Sequence, residues 1–521
     1  MKSGRNLRKV TKGGVLVSAG SFGSTLLHFI IGIIVIRMMT RSEYGLISFG
    51  TTVIAMLSLL SMLGFKTAVP RFLAKYRAQG EKGPVGEVAG TAFACAVGLS
   101  VLFAVLLFAQ AAFVAHVFQK PEMTEVFTIL ALMLPAMVLV ETFSAIFQGL
   151  ENARAKVLFQ DLAANIIRLV LLLLLMLASF RLYEVLWVYV ISAWLALAMY
   201  LVYAVRTLRG VLQPRLSRTV AKDLLWFSFP LLGVTIMANV ATWAATLTLG
   251  YLQSAAELAS FSAPMRLAAI IPVPLASMNF LFLPVVSKLV ARNAIQEVQD
   301  LYRSTTKWAF LVTLPLLMYF VVDAEFVITF LFGEAYLDAA NVLRVLVLGF
   351  TVNAFTGPNG AALVAFGDTG IQFVLAMASA VAAVLLCLLL VPNYGALGAA
   401  ISMAVARSIA HGLASVVLYR KFGIHPLTAA YLKPVLLVVV VSLAVGIPLA
   451  SAGLESPLVH LLLFLGIIAL TLGSPLLTGT MSHADLDVIG AIERRIWGKN
   501  RITEKLTKWV DARSVDHRSD D

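Results

Sequence analysis

Residues 13–76 read GGVLVSAGSFGSTLLHFIIGIIVIRMMTRSEYGLISFGTTVIAMLSLLSMLGFKTAVPRFLAKY, and this stretch decides the fold. An apolar run from Gly13 to Met38 meets a polar turn, Thr40-Arg41-Ser42-Glu43-Tyr44-Gly45, and a second apolar run ends at Pro70-Arg71 in a basic loop. That is a transmembrane hairpin. Its landmarks return 214 positions later. Glu43 matches Glu257, Pro70 matches Pro284, and the stripe Ser21, Thr25, His28 and Gly32 matches Thr235, Asn239, Thr242 and Thr246. Spacings of four, three and four residues put each set on one helical face, so two corresponding helices each offer a hydrophilic seam to something other than lipid.

The rest of the 521 residues agrees with a polytopic membrane protein. The chain is 60% hydrophobic and 13% charged, with a mean hydropathy of +0.92, and its apolar runs reach the ~20 residues a helical span needs. Fourteen spans are expected, the first at 13–38, the eighth at 259–287, the tenth at 337–366 and the last at 456–479. The basic start, Lys2 to Lys12, resembles a signal peptide, but the following run is too long and lacks a small-residue cleavage pattern, so it counts as the first span. With the N-terminus inside, inner segments hold 32 of the 40 lysines and arginines, against Arg37, Arg41, Lys120 and Arg181 outside. This bias places both termini in the cytoplasm and the protein in the cell membrane. Most of the net charge of +13 is then a topology signal and an attraction to anionic lipids, not a nucleic-acid site. Cys95 and Cys387 lie in apolar runs and read as small core residues.

The duplication divides the chain into an N-lobe at 1–210 (spans 1–6), a C-lobe at 211–425 (spans 7–12), two additional spans at 426–480 and a cytoplasmic amphipathic tail at 481–521. The tail repeats Leu486, Ile489, Ile492 and Ile496 at helical spacing among Arg494, Arg495, Lys499 and Arg501, a pattern suited to the membrane surface. Lobes that begin and end on the same face are parallel repeats, and a transport site belongs near mid-membrane.

Charges inside spans are the functional candidates. An arginine at mid-membrane costs roughly 3 kcal/mol, so Arg168, Arg266 and Arg407 are not expected to face lipid. Arg168 shares a face with Asp161 and Asn165, which leaves open neutralisation within its own helix. Arg266 has no acidic residue within one turn and is the leading candidate for an anion-binding cation. Arg407 is followed one turn on by His411. Asp161 is the candidate for ion coupling. Arg344 can reach the interface by snorkelling. Pro264, Pro272, Pro274 and Pro284 in span eight, and Gly357-Pro358-Asn359-Gly360 in span ten, predict broken helices lining a cavity. There is no phosphate-binding glycine loop, metal-ligand spacing or nucleophile motif. The chain reads as a transporter rather than an enzyme, with no cofactor beyond a coupling Na+ or H+.

Several stretches resemble the oligosaccharide flippase (Wzx-type) family of the multidrug/oligosaccharidyl-lipid/polysaccharide exporter superfamily. They are Ile34-Val35-Ile36-Arg37-Met38 leading into Arg41-Ser42-Glu43-Tyr44-Gly45, then Gly64-Phe65, Pro70-Arg71-Phe72-Leu73-Ala74, and the echoes Glu257-Leu258-Ala259-Ser260-Phe261 and Pro284-Val285-Val286-Ser287-Lys288. The resemblance implies two six-helix lobes, two additional helices and a cationic cavity. It also implies a polyprenyl-phosphate- or pyrophosphate-linked oligosaccharide carried from the inner to the outer leaflet by alternating access, for surface polysaccharide or glycoconjugate biosynthesis. Arg37 and Arg71 look like basic residues of the related lipid II flippases. The arginine doublet of that branch is Arg71-Phe72 here, which favours a surface or glycoprotein glycan over a peptidoglycan precursor. Arginine forks match phosphate oxygens, and polar stripes match sugar hydroxyls. The expected partners are the lipid-linked oligosaccharide, membrane lipids and glycan-assembly proteins, and the expected state is a monomer. Alternatives are a lipid II flippase, a cation-coupled multidrug antiporter of the same superfamily, and a passive scramblase or scaffold.

Overall fold

In a computed structural model the protein is all-helical, with residues 2–80, 82–177, 182–208, 216–451 and 456–481 described, and positions 485, 486, 493 and 507 beyond them. The main helices are α1 (Lys2–Met38), α2 (Arg41–Met62), α3 (Phe65–Ala78), α4 (Lys82–Ala109), α5 (Met123–Ala131), α6 (Met133–Gly149) and α7 (Ala164–Leu175). They continue as α8 (Leu182–Leu208), α9 (Arg218–Leu252), α10 (Ala255–Ala268), α11 (Val273–Ala291), α12 (Ile295–Val322), α13 (Ala324–Phe332) and α14 (Ala339–Thr356). The last are α15 (Asn359–Ala365), α16 (Thr369–Phe422), α17 (Ala429–Ser451) and α18 (Pro457–Leu477).

Among the described residues, 12 helices are long and apolar enough to cross a membrane, or 13 with the broken pair formed by α10 and the start of α11. The count falls short of the expected fourteen because Thr369–Phe422, labelled α16, enters it once, although its 54 residues are two helices joined across a kink at Gly395 (φ 51) where two spans are expected. A shorter break divides the second expected span, where Leu63 (φ 47) and Gly64 (φ 79) are both left-handed between α2 and α3. Gly64 has a further reason to lack a side chain, since a Cβ there would lie 2.5 Å from the Ser228 carbonyl oxygen.

The hairpin turn explains the repeated glutamates. Thr40 caps α2: its hydroxyl accepts from the Glu43 backbone N–H, and the Glu43 carboxylate accepts from the Thr40 N–H at 2.9 Å. At the repeat, Ser254 Oγ accepts from the Glu257 N–H at 3.1 Å, but the Glu257 carboxylate accepts from the Ala396 N–H at 2.7 Å. It satisfies the backbone exposed at the Gly395 bend.

Packing separates the chain into two compact units, one comprising Met1–Ala268, Ile328–Leu346 and Phe373–Ala410, the other Ala269–Val327, Val347–Gln372 and His411–Asp521. Division by packing and division by duplication therefore cut the chain differently.

In the second unit the break in span ten is pinned. Gly357 takes φ 81 against Thr306. The carbonyls freed before the break accept from tyrosine hydroxyls, Thr356 from Tyr302 at 2.6 Å and Phe355 from Tyr431 at 2.9 Å. Asn359 donates to the His411 carbonyl at 2.9 Å. Elsewhere in this unit a buried Asp323–His460 pair closes at 2.7 Å, with Phe326 stacked on the imidazole. Lys307 meets Asp485 at 2.6 Å, and the Trp308 indole donates to the same carboxylate. The remaining residues named for the amphipathic tail, Leu486 apart, lie outside the described residues.

Since each tyrosine hydroxyl satisfies a carbonyl with no helical partner, Tyr302→Phe and Tyr431→Phe are each expected to cost about 1 kcal/mol. Thermal unfolding of detergent-purified protein measures this, and the double variant should lose close to the sum.

Candidate functional site

Two arginines converge in the first unit. Arg168, on α7, is 7% exposed; its Nε donates to Ser192 Oγ at 3.3 Å, and its guanidinium lies 4.2 Å from the centre of the Tyr189 ring. Arg266, on α10, donates from Nε to the hydroxyl of the fully buried Tyr44 at 2.7 Å. The two guanidiniums lie within electrostatic reach of each other and of His28. Among the described residues neither forms an ion pair with a carboxylate. Among the described residues each makes one hydrogen bond, from Nε, and none from its Nη groups. The expected alternative of Arg168 neutralised by Asp161 is not the arrangement found.

The path of Arg266 is set by a glycine. A Cβ on Gly32 would lie 2.8 Å from Arg266 Nη1 and 2.9 Å from its Cδ. The hydrophilic stripe of α1 therefore ends in Gly32 because the guanidinium occupies that space.

A cavity of about 300 Å³ opens beside Arg168, bounded on its polar side by Ser24, His28, Glu141, Gln160, Asp161 and Asn165. A π-helical segment, Lys156–Ala163, runs into α7 and carries Gln160 and Asp161. The wider turn breaks the α-helical register, a distortion frequent at functional sites. Asn165 donates to Ser24 Oγ at 3.2 Å and to the Asp161 carbonyl at 2.9 Å, tying α7 to α1. Gln160 Oε1 and Asp161 Oδ2 are buried without a hydrogen-bond partner among the described residues. Glu141 and Gln160 were not singled out by sequence. Glu141 sits in an otherwise apolar run, VLVETFSA, and that isolated charge was the available signal.

The other candidates are placed differently. Arg37 donates from Nε to the Leu331 carbonyl at 2.9 Å and from Nη2 to the Phe330 carbonyl, capping the end of α13. Beside it Arg41 meets Asp338 at 2.7 Å, donates to Ser260 and faces the Tyr336 ring. These contacts clasp the α1–α2 turn to residues 328–346. Arg71 is exposed and stacks on Phe227 at 4.3 Å. Arg407 is half-buried on α16 and is not among the groups that Arg168 and Arg266 meet. Ser21, Thr25 and Thr235 are exposed, with Thr25 and Thr235 donating back to their own helices, as do Asn239 and Thr246; Thr242 is half-buried.

This fold defines a class. The structure is similar to that of "Lipid II flippase MurJ, inward closed conformation", at TM-score 0.68 and 13% identity over 88% of this chain and 98% of that one. It is similar to an inward-facing multidrug resistance MATE family transporter of the MOP superfamily, at TM-score 0.63 and 15% identity over 77% and 94%. A MOP superfamily transporter from Pyrococcus furiosus, described as having a binding pocket of reverse polarity, aligns at TM-score 0.57 and 15% identity over 80% and 95%. At these identities the likeness shows the fold, that of MOP superfamily transporters. The model of the polysaccharide biosynthesis protein family matches residues 34–341, more than half of the chain, and the chain belongs to that family. No curated protein sequence matches it. The protein is thus a multi-pass membrane protein of the polysaccharide biosynthesis family with the fold of MOP superfamily transporters.

Gly32→Ala should push the Arg266 guanidinium off Tyr44 and lower transport roughly tenfold or more, the size of a lost hydrogen bond to a charged group. The comparison is Gly23→Ala on the same helix, whose added methyl meets only Leu162 at 3.6 Å. Surface-glycan display at matched membrane abundance reads the difference.

Proposed function

We propose that the protein flips a polyprenyl-phosphate- or pyrophosphate-linked oligosaccharide from the inner to the outer leaflet by alternating access. The observation that carries this reading is the convergence of Arg168 and Arg266 with neither ion-paired to a carboxylate among the described residues. Two guanidiniums in a low-dielectric interior hold a strong field for anions, and their Nη groups offer the paired donors that phosphate oxygens accept. Tyr44, Tyr189, Ser192 and His28 add hydroxyl, ring and imidazole groups suited to sugars, and the stripes Ser21–Thr25 and Thr235–Thr246 extend that polar surface. Family membership supports a glycan cargo.

The positive-inside bias orients the chain with both termini in the cytoplasm. In that orientation the Arg37 and Arg41 contacts close the outer end. Ser260 lies six residues before Arg266 on α10, about 9 Å of helix rise, so the clasp stands just outside the binding cluster. Twin lobes at 1–210 and 211–425 supply the moving parts, with 426–480 as additional spans, and the monomer is the working unit.

Asp161 and Glu141 support coupling to a cation gradient, with H+ or Na+ taken up by the cavity that also holds Arg168. The same carboxylates are what a multidrug antiporter would use, and efflux of organic cations from cells expressing the protein would favour that second reading.

Arg168→Ala and Arg266→Ala, inserted in the membrane at parental abundance, are each expected to lower glycan display in a flippase-null strain by roughly tenfold or more. Arg71→Ala, which removes a stacked cation that meets no member of the cluster, should retain most of it. Parental display by both cavity variants would end the proposal. Asp161→Asn is expected to leave the cargo bound while uncoupling flipping from the ion gradient, measured as loss of gradient dependence in proteoliposomes.

A further inference from the structure

Arg37 and Arg41 run against the charge pattern of the rest of the chain. With the N-terminus inside they fall on an outer turn, so the bias that accounts for most other cations does not account for them. Their partners differ in kind. Arg37 gives its donors to the backbone carbonyls of Leu331 and Phe330, a fixed cap at the end of α13. Arg41 meets side chains: the Asp338 carboxylate at 2.7 Å, the Ser260 hydroxyl, and the face of the Tyr336 ring at 5.5 Å. All of these residues belong to the first compact unit.

The Arg41 fork is half filled. Asp338 and Ser260 are both reached through Nη2, while Nε, on the same edge of the guanidinium, is buried without a hydrogen-bond partner. An oxyanion that matches this edge takes it with two parallel bonds, and a buried donor without an acceptor is a cost that a second oxygen would remove. Asp338 supplies Oδ2 alone. Its side chain is 53% exposed and that of Arg41 27%, and an ion pair so open to water contributes little. The carboxylate occupies an oxyanion site that it does not complete.

This half-filled site stands next to the binding cluster on two helices at once. On α2, Arg41 precedes Tyr44 by one turn, and Tyr44 is the acceptor of Arg266. On α10, Ser260 precedes Arg266 by six residues, about 9 Å of rise. A headgroup that leaves Arg266 for the outer end meets Arg41 next.

We propose that Arg41 is a second oxyanion site on the exit path: as the outer end opens, Asp338 leaves and the cargo's phosphate or diphosphate takes the Nε–Nη2 edge. The inference rests on the lipid-linked, outward-flipping reading above and adds the station at which Arg266 hands over the headgroup. Asp338 is then a placeholder for phosphate as well as one half of a clasp.

Arg41→Gln and Asp338→Asn remove the same ion pair from opposite sides. A pair that only locks the outer end gives two variants that behave alike, whereas an oxyanion site at Arg41 drives them apart. The test is isothermal titration of detergent-purified full-length protein with a C15 prenyl diphosphate, and with the C15 prenol as control. Asp338→Asn, which frees the guanidinium, should bind the diphosphate roughly tenfold more tightly than the unaltered protein. Arg41→Gln should show no gain, the double variant should lose the gain of Asp338→Asn, and prenol binding should not change. Glu334→Gln alters the charge of the same rim at an exposed position and should leave diphosphate binding as it was. A C15 diphosphate with a diazirine beside its terminal phosphate should label residues 334–341 of the unaltered protein, which decides the matter if a variant does not fold. Equal shifts in Arg41→Gln and Asp338→Asn, a gain in Glu334→Gln equal to that in Asp338→Asn, or no label at 334–341 overturns the exit site while the flippase reading stands. Diphosphate bound no more tightly than prenol by the unaltered protein overturns both.

Discussion

Two buried guanidiniums, neither of them ion-paired with a carboxylate among the described residues, constrain everything around them. Each costs roughly 3 kcal/mol at mid-membrane, and the protein offsets this with soft partners. Arg168 lies on the Tyr189 face and Arg266 reaches the Tyr44 hydroxyl. A cation over an aromatic ring recovers on the order of 1–2 kcal/mol when desolvated, and a hydroxyl acceptor adds a comparable amount. Neither removes the charge. Carboxylate partners would have made a quieter interior, and the cluster would then have had little field left for an anion.

The same tyrosine joins the cluster to the clasp. Tyr44 and Arg41 are three residues apart on α2, one turn of helix, so the end of α2 that holds Asp338 and Ser260 also holds Arg266. Close backbone approach makes this end stiff, because a Cβ on Gly45 would collide with the Ala255 carbonyl and one on Gly250 would enter the Phe49 ring. A movement of the α1–α2 turn that released Asp338 would have to carry Tyr44 with it, or leave Arg266 without its acceptor. On the proposed mechanism, binding at Arg266 and release of the Arg41 clasp would be coupled through one short piece of helix.

Much of this was legible in the sequence, for physical reasons that differ by residue. Hydrocarbon allows little besides helices, so apolar runs located the spans, and the cost of an unsolvated arginine singled out Arg168, Arg266 and Arg407 as residues that need polar or aromatic company. The partners of those arginines were not legible. Tyr44 and Gly32 look like ordinary residues of a hairpin until α10 is packed against α1 and α2. Arg37 lies next to a turn, where nothing local tells a ligand-binding arginine from one capping the carbonyls of Phe330 and Leu331, some 290 residues away in sequence. The π-helical segment before α7 was equally hidden, since KVLFQDLA carries no proline or glycine to announce it. The broken tenth span was foreseen from Gly357-Pro358. That Tyr302 and Tyr431 would hold its carbonyls depended on α12 and α17 lying alongside.

The repeated glutamates bear on how a duplicated protein becomes asymmetric. Glu43 keeps its carboxylate on its own helix start, whereas Glu257 sends the same group across to the Gly395 bend. Both repeats carry the glutamate and a capping hydroxyl, from Thr40 in one and Ser254 in the other, and differ in which backbone N–H the carboxylate accepts from. Repeats alike in sequence can thus differ in how they are held, one glutamate fixing the start of its own helix and the other steadying a kink 139 residues further along the chain.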